Sequence, residues 1–355
     1  MQPASLTFLH RLLDAPGPSG FETAPAKIWR AEAATFADDV SVDVSGNSTA
    51  VLNAGGAPRV MFAGHIDEIG LMVSHVDDEG FLAFQGIGGW DPQVLVGQRI
   101  VIAARGGPVA GVIGRKPIHL LKPDEKDKAI KIADLWIDIG ARNGKDALRR
   151  VRVGDPAVVA ASALTLPNGR LASRSIDNRI GAFVVLEALR LLRRPRPRAA
   201  VHAVATAQEE IGWFGGGART SATGLEPAAA IVVDVTHATD HPGADKKEVG
   251  DVKLGGGPVL SRGSSVNPVV FELLAEAAER EKIPYQLQAA PRDTGTDADA
   301  IATAHRGVAT GLVSVPNRYM HSPNETVDLG DLERAAALLA AFARRVTVKT
   351  DFTPR

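Results

Sequence analysis

Four short apolar runs are each followed by an acidic or imidazole side chain, and this recurrence constrains the chain more than any other feature. Val60-Met61-Phe62-Ala63 leads into Gly64-His65-Ile66-Asp67. The run Ala199 to Ala205 leads into Thr206-Ala207-Gln208-Glu209-Glu210, and Ala229 to Val233 into Asp234. Thr310 to Val315 is followed, after Pro316 to Met320, by His321. Short apolar runs bounded by turn residues read as buried strands. Helix-length segments alternate with them: Ile180 to Leu192, about Pro268 to Glu281, and Gly330 to Val346 with Leu332, Ala335, Leu338, Leu339 and Phe342 on one face. This alternation predicts an α/β fold, a mixed and mostly parallel sheet flanked by helices.

From about Gly70 to Ala160 the rhythm differs. Glycine-rich sequence carries short β-type runs at Leu71 to Val73, Phe81 to Phe84, Arg99 to Ile102, Val109 to Ile113 and Asp134 to Ile139. Such spacing predicts a small β-barrel or sandwich, of which the barrel is the expected form. A chain of 355 residues exceeds what one core usually serves. The expected division is one discontinuous α/β domain, residues 1–69 and 161–355, interrupted by a β-rich insert at 70–160.

Composition excludes several classes of function. With 40 basic and 41 acidic residues, nothing favours nucleic acid or an anionic membrane as partner. There is no cysteine, so any metal must be held by His, Asp and Glu. The N-terminus reads as an amphipathic helix with Leu6, Leu9, Leu12 and Leu13 on one side, not as a secretion signal. No apolar stretch approaches membrane-spanning length, and the cytoplasm is the expected location.

The polar residues then fall into one place. Ligands of open α/β sheets bind beyond the carboxyl ends of the strands, where His65, Asp67, Glu209, Glu210, Asp234 and His321 are expected. Asp177, in Ser175-Ile176-Asp177-Asn178-Arg179, precedes the buried helix. Each has a duller explanation alone: a Glu-Glu pair is usually solvated, and a lone His is usually a satisfied polar residue. Their convergence on one sheet edge outweighs those explanations. Imidazole and carboxylate suit zinc, cobalt or manganese. Two histidines and three carboxylates suffice for two ions sharing one carboxylate with open positions left over. Such a pair polarises a carbonyl and supplies hydroxide at neutral pH, while a free glutamate shuttles the proton. If Glu209 and Glu210 extend their strand, they point to opposite sides, one to a metal and one to a substrate.

The segments Gly64-His65-Ile66-Asp67-Glu68-Ile69-Gly70, Ser175-Ile176-Asp177-Asn178-Arg179-Ile180-Gly181, Gln208-Glu209-Glu210-Ile211-Gly212, Asp234-Val235-Thr236 and Arg318-Tyr319-Met320-His321-Ser322-Pro323 resemble metallopeptidase family 42, the tetrahedral co-catalytic aminopeptidases. Softer likenesses, at Gly17 to Glu22, Ile137 to Gly140 and Gly295 to Ala298, extend it across almost the whole chain. The resemblance implies that His65 and Asp234 hold one divalent ion, Glu210 and His321 another, and that Asp177 bridges them. It implies Glu209 as general base and acid, and Asp67 as the residue that orients His65. The ions would be zinc or cobalt, or manganese. A cis peptide often follows the bridging aspartate in enzymes of this kind, so Asp177-Asn178 is a candidate. The implied substrate is a short peptide, cleaved at its N-terminus. The insert would be a dimerisation domain, and the assembly a homododecamer built from dimers, hollow and tetrahedral, with inward-facing active sites.

Two positions depart from the pattern: Gly256 where lysine is often found, and Asn178 where a second acidic residue is common. His237 and Asp240 read as further ligands or pocket residues on one view and, on the favoured one, as structural or supporting residues; His119 reads as structural. Asp293 and Asp297 either complement a helix dipole or line a specificity pocket that would favour a basic N-terminal residue. Two other functions compete. One is an amidase or deacylase using the same metal pair, and members of this family have also been labelled glucanases. Glycosidase chemistry, however, normally uses two carboxylates flanking a sugar bond without metal. The other is a metal-binding assembly protein without catalysis, against which the presence of Glu209 speaks.

Overall fold

The computed structural model describes residues 1–355, the side chains of Glu125 and Trp213 excepted. The strand Arg59–His65 shows how the sequence builds the layers. Val60 and Phe62 join the core on one face of the sheet, and Met61 and Ala63 join the core on the other, as the two-residue period of a strand requires. Five helices, Pro3–Asp14, Thr23–Ala33, Ile176–Leu191, Pro268–Glu281 and Leu329–Arg345, supply the first face with Phe8, Trp29, Phe183, Leu338 and Phe342. The shorter helices Gly216–Leu225 and Asp297–Ala302 cover the second with Ala218, Ala222 and Ile301.

The main sheet has eight strands in the order Asp39–Val42, Ser48–Leu52, Ala200–Thr206, Arg59–His65, Ala229–His237, Ala309–Asn317, Val259–Gly263, Gln286–Ala290. The four central strands run parallel, so their carboxyl ends share one edge. Antiparallel pairing appears toward both flanks. The edge strand Asp39–Val42 escapes the sequence pattern because it is largely exposed, and its buried neighbour Ser48–Leu52 because it is a short run that opens with Ser and Thr. The helix Ile176–Leu191 is buried nearly all round, which explains why it reads as apolar without an amphipathic stripe.

Six strands close a separate barrel in the order Gly70–Val76, Leu82–Ile87, Leu135–Asp138, Gly107–Arg115, Arg99–Ala104, Pro156–Val159. Leu71, Val73, Leu82, Ile100, Ile102 and Ile137 fill it. The closing strand is short and begins with proline, and the sequence alone does not signal it. A three-stranded sheet, Leu164–Leu166, Arg170–Ser173 and Glu325–Asp328, lies beside the main one. Among the described residues no helix is long and apolar enough to cross a membrane.

One close approach seats the buried helix on the sheet. A Cβ built on Gly64 would lie 2.4 Å from the Gly181 carbonyl carbon, and one on Gly181 would lie 2.5 Å from the Val233 oxygen. Both obstacles are backbone, which cannot swing aside. Overpacking of this kind costs about 1–3 kcal/mol or more. Gly64→Ala is therefore expected to lower the melting temperature by several degrees. Gly55→Ala, whose new methyl meets nothing within 4 Å, should leave melting unchanged. Equal melting of the two variants would contradict this account of the packing.

Candidate metal centre and active site

His65 closes its strand and is buried at 1% exposure. Its Nε2 lies 3.2 Å from Asp177 Oδ1, 3.7 Å from Glu209 Oε2 and 4.0 Å from Asp234 Oδ1. His321 Nε2 lies 3.4 Å from both Asp177 Oδ2 and Glu210 Oε2. Asp177 thus turns one oxygen to each imidazole. Donor atoms of His65, Asp177 and Glu210 lie within 4.8 Å of one another, as do those of His65, Glu209 and Asp234. Glu210 Oε1 is buried and without a hydrogen-bond partner. An orphaned carboxylate oxygen amid converging imidazole and carboxylate donors fits a divalent cation.

The structure gathers all the expected residues but corrects how three of them arrive. Glu209 and Glu210 do not extend a strand. The strand ends at Thr206, Gln208 adopts a left-handed φ of 65°, and the glutamates occupy a turn. Asp67 organises that turn, accepting the amides of Glu209 at 3.3 Å and Glu210 at 3.0 Å. It also approaches His65 Nδ1 at 3.3 Å, though without full hydrogen-bond alignment. Asp234 lies inside its strand, which continues to His237. The Asp177–Asn178 peptide is cis, as the resemblance predicts.

Asn178 has a local reason to be an amide. Its Nδ2 donates to the Val233 carbonyl at 2.8 Å, while Oδ1 accepts from the Gly181 amide at 3.0 Å. A carboxylate could not make the first bond. At Gly256, a Cβ would meet the Gln286 side chain at 2.7 Å, so that side chain takes the space. Asp240 pairs with Arg318 at 2.8 Å, a structural role, and His119 is exposed in the barrel region. His237 and Asp293 face a cavity of about 1160 Å³ that opens from His65, Glu209 and His321. Asp297 is buried in its wall and accepts from the Thr206 hydroxyl.

Two features escaped the sequence reading. Glu325 is 2% exposed and accepts the backbone amides of Asp177 and His321; its only sequence signal is a carboxylate opening the short run Glu325-Thr326-Val327-Asp328. Arg179 is fully buried, donating to the carbonyls of Ile66, Leu12, Leu13 and Ala15 and to Glu68 at 2.8 Å. Glu68 also takes Arg174 and the Gly17 amide. Burial pushes the Arg179 guanidinium down to about 10, still charged at neutral pH. This knot locks the N-terminal segment against the strand end that carries His65.

Electrostatically the cluster is overloaded with acid. Burial, with Asp177 beside it, pushes Glu210 from 4.5 up to about 7. Burial also drives Glu209 and Asp234 well up, reinforced by neighbouring carboxylates, and Asp297 to about 6. Bonds to Asp177 and Glu210 raise His321 to about 11. For Asp177, burial is outweighed by its bonds to His321 and His65, and the carboxyl stays well below the usual range.

A mixed α/β sheet carrying imidazole and carboxylate donors at its strand ends, beside a wide cavity, is the arrangement of a metal-dependent hydrolase. Residues 46–338 match the family described as M42 glutamyl aminopeptidase, and the chain belongs to that family, whose members are enzymes hydrolysing peptide bonds. The lysyl aminopeptidase of Pyrococcus furiosus is 35% identical over 350 residues, 98% of each chain. A TET aminopeptidase from the marine sediment archaeon Thaumarchaeota archaeon SCGC AB-539-E09 superposes with a TM-score of 0.93 at 36% identity, covering 98% of this chain and 97% of that one. PhTET1-12s, solved as a dodecamer, gives 0.85 at 32%, covering 98% and 100%.

The raised proton affinities have a measurable consequence. Between pH 4.5 and 7 the folded chain holds a proton on Glu210 that the unfolded chain releases, and between 6.5 and 11 the same holds for His321. Native protein binding more protons means stability that falls as pH rises. After exhaustive chelation, the melting temperature should therefore decline steadily from pH 5 to 8, and the decline should flatten when zinc or cobalt is restored. A metal-free melting temperature that rises across this range would contradict the assignment.

Proposed function

We propose that the chain is a dinuclear metal-dependent aminopeptidase that removes N-terminal residues from short peptides. The observation that carries this reading is Asp177, whose two oxygens are divided between His65 and His321, the disposition a shared ligand needs. His65 and Asp234 would then hold one divalent ion, and Glu210 and His321 the other. Zinc, cobalt and manganese all suit these donors. When bound, the ion pair supplies Lewis acidity to a peptide carbonyl and acidifies water.

The chain's own residues divide the remaining work. The Glu209 side chain is 17% exposed and Glu210 5%, so Glu209 is the glutamate more open to the cavity. Burial raises its proton affinity, as suits a group that must take a proton from water, keep it, and pass it to the leaving amine. Asp67 is the supporting residue, placing His65 and the turn of the two glutamates together. The cavity volume accommodates several residues of extended peptide.

The assembly and location follow the same reading. Residues 1–69 and 161–355 form the catalytic domain, and the insert at 70–160 serves dimerisation. By likeness to PhTET1-12s, solved as a dodecamer, the chain assembles into a homododecamer, and its proposed place is the cytoplasm. Two measurements test the chemistry. A panel of aminoacyl chromogenic amides, assayed after chelation and add-back of zinc, cobalt or manganese, should show cleavage that disappears and returns with the metal; no metal-dependent cleavage of any member would sink the peptidase reading. Glu209→Gln should reduce turnover by about 100-fold or more while two ions still bind, whereas retained activity would place the base elsewhere.

A further inference from the structure

Glu325 opens the strand Glu325–Asp328, which pairs with Arg170–Ser173 outside the main sheet. Its side chain reaches away from that pairing to two backbone amides. One oxygen accepts from the Asp177 N–H at 3.0 Å and the other from the His321 N–H at 2.9 Å. Asp177 and His321 are far apart in sequence, yet their functional atoms meet at 3.4 Å.

Neither residue is held by regular structure. Asp177 and Asn178 depart from helical geometry at the start of their helix. His321 sits at φ 59°, two residues after Tyr319 at φ 63°, a region unfavourable for residues with a Cβ. Backbone in such conformations persists when its surroundings overdetermine it. Here the surroundings are one carboxylate gripping both segments.

We propose that Glu325 is a positioning residue that sets the spacing of Asp177 and His321 for the metal pair. The inference rests on the dinuclear reading above. The carboxyl group turns one acceptor oxygen to each of the two N–H donors, whereas a carboxamide would offer a single oxygen and set its NH2 against the other amide.

The test is Glu325→Gln in the full chain, with ions counted by elemental analysis, affinities measured by chelator competition, and melting recorded with and without metal. The wild-type chain should bind two ions, and the variant should hold the weaker one about 10–100-fold less tightly, with a fall in melting that is larger for the metal-loaded than for the metal-free chain. Asp328→Ala, which removes a helix cap at the other end of the same strand, should lower melting and leave metal affinity alone. Unchanged metal affinity in Glu325→Gln overturns the inference, as does an equal loss of melting with and without metal. A wild-type chain that binds fewer than two ions overturns the dinuclear reading and this inference with it. Should the variant not fold, amide exchange in the metal-free wild-type chain decides. Asp177 and His321 amides as protected as the strand Ala309–Asn317 support the grip, and exchange at loop rates overturns it.

Discussion

Crowding of negative charge at the carboxyl ends of parallel strands is the condition around which the rest of the molecule is arranged. Asp67, Asp177, Glu209, Glu210, Asp234, Asp297 and Glu325 surround His65 and His321, most of them inaccessible to water. Two like charges 4 Å apart near a protein surface repel by about 4 kcal/mol, so such a group cannot stand ionised without positive charge among it. In the bare chain, protons on the imidazoles and on several carboxyls meet that need, which is why the proton affinities are displaced upward. Divalent cations among the same oxygens meet it more completely.

Holding the cluster together demands a stiff frame, and the fold provides one in layers. The central parallel strands bring four carboxyl ends to one edge. The glycine contact between Gly64 and Gly181 lets the buried helix press its first turn against that edge. Arg179 and Glu68 fasten the N-terminal segment behind His65, and Asp67 fastens the turn of Glu209 and Glu210. Breaking such a buried pair from one side leaves an uncompensated charge, typically worth 3–5 kcal/mol, so the pair resists displacement. The donors are thereby positioned by groups that do not themselves belong to the donor set.

How much of this could be read beforehand depended on whether the determinant was local. The strands ending in His65 and Thr206 were legible because a buried parallel strand is a continuous apolar run, and the run alone identifies it. The buried helix after Asp177 was legible for the same reason. The edge strand Asp39–Val42 was not, since edge strands carry mixed residues. Glu209 and Glu210 show an intermediate case. Their place at the strand end was visible, but the left-handed Gln208 that turns the chain there was not, because nothing in the sequence of glutamine announces it.

By itself, then, the sequence determined the alternation of strands and helices, the β-rich insert, and the set of residue types able to serve as metal donors. It did so because hydrophobic periodicity and side-chain chemistry are properties of short segments. Only the tertiary structure decided that Asp177 turns one oxygen to each histidine and that Glu325 joins two loops through their amides. It also decided that Arg179 is spent on main-chain carbonyls. These depend on atoms brought within hydrogen-bond reach from distant parts of the chain, a matter of packing that no local pattern encodes.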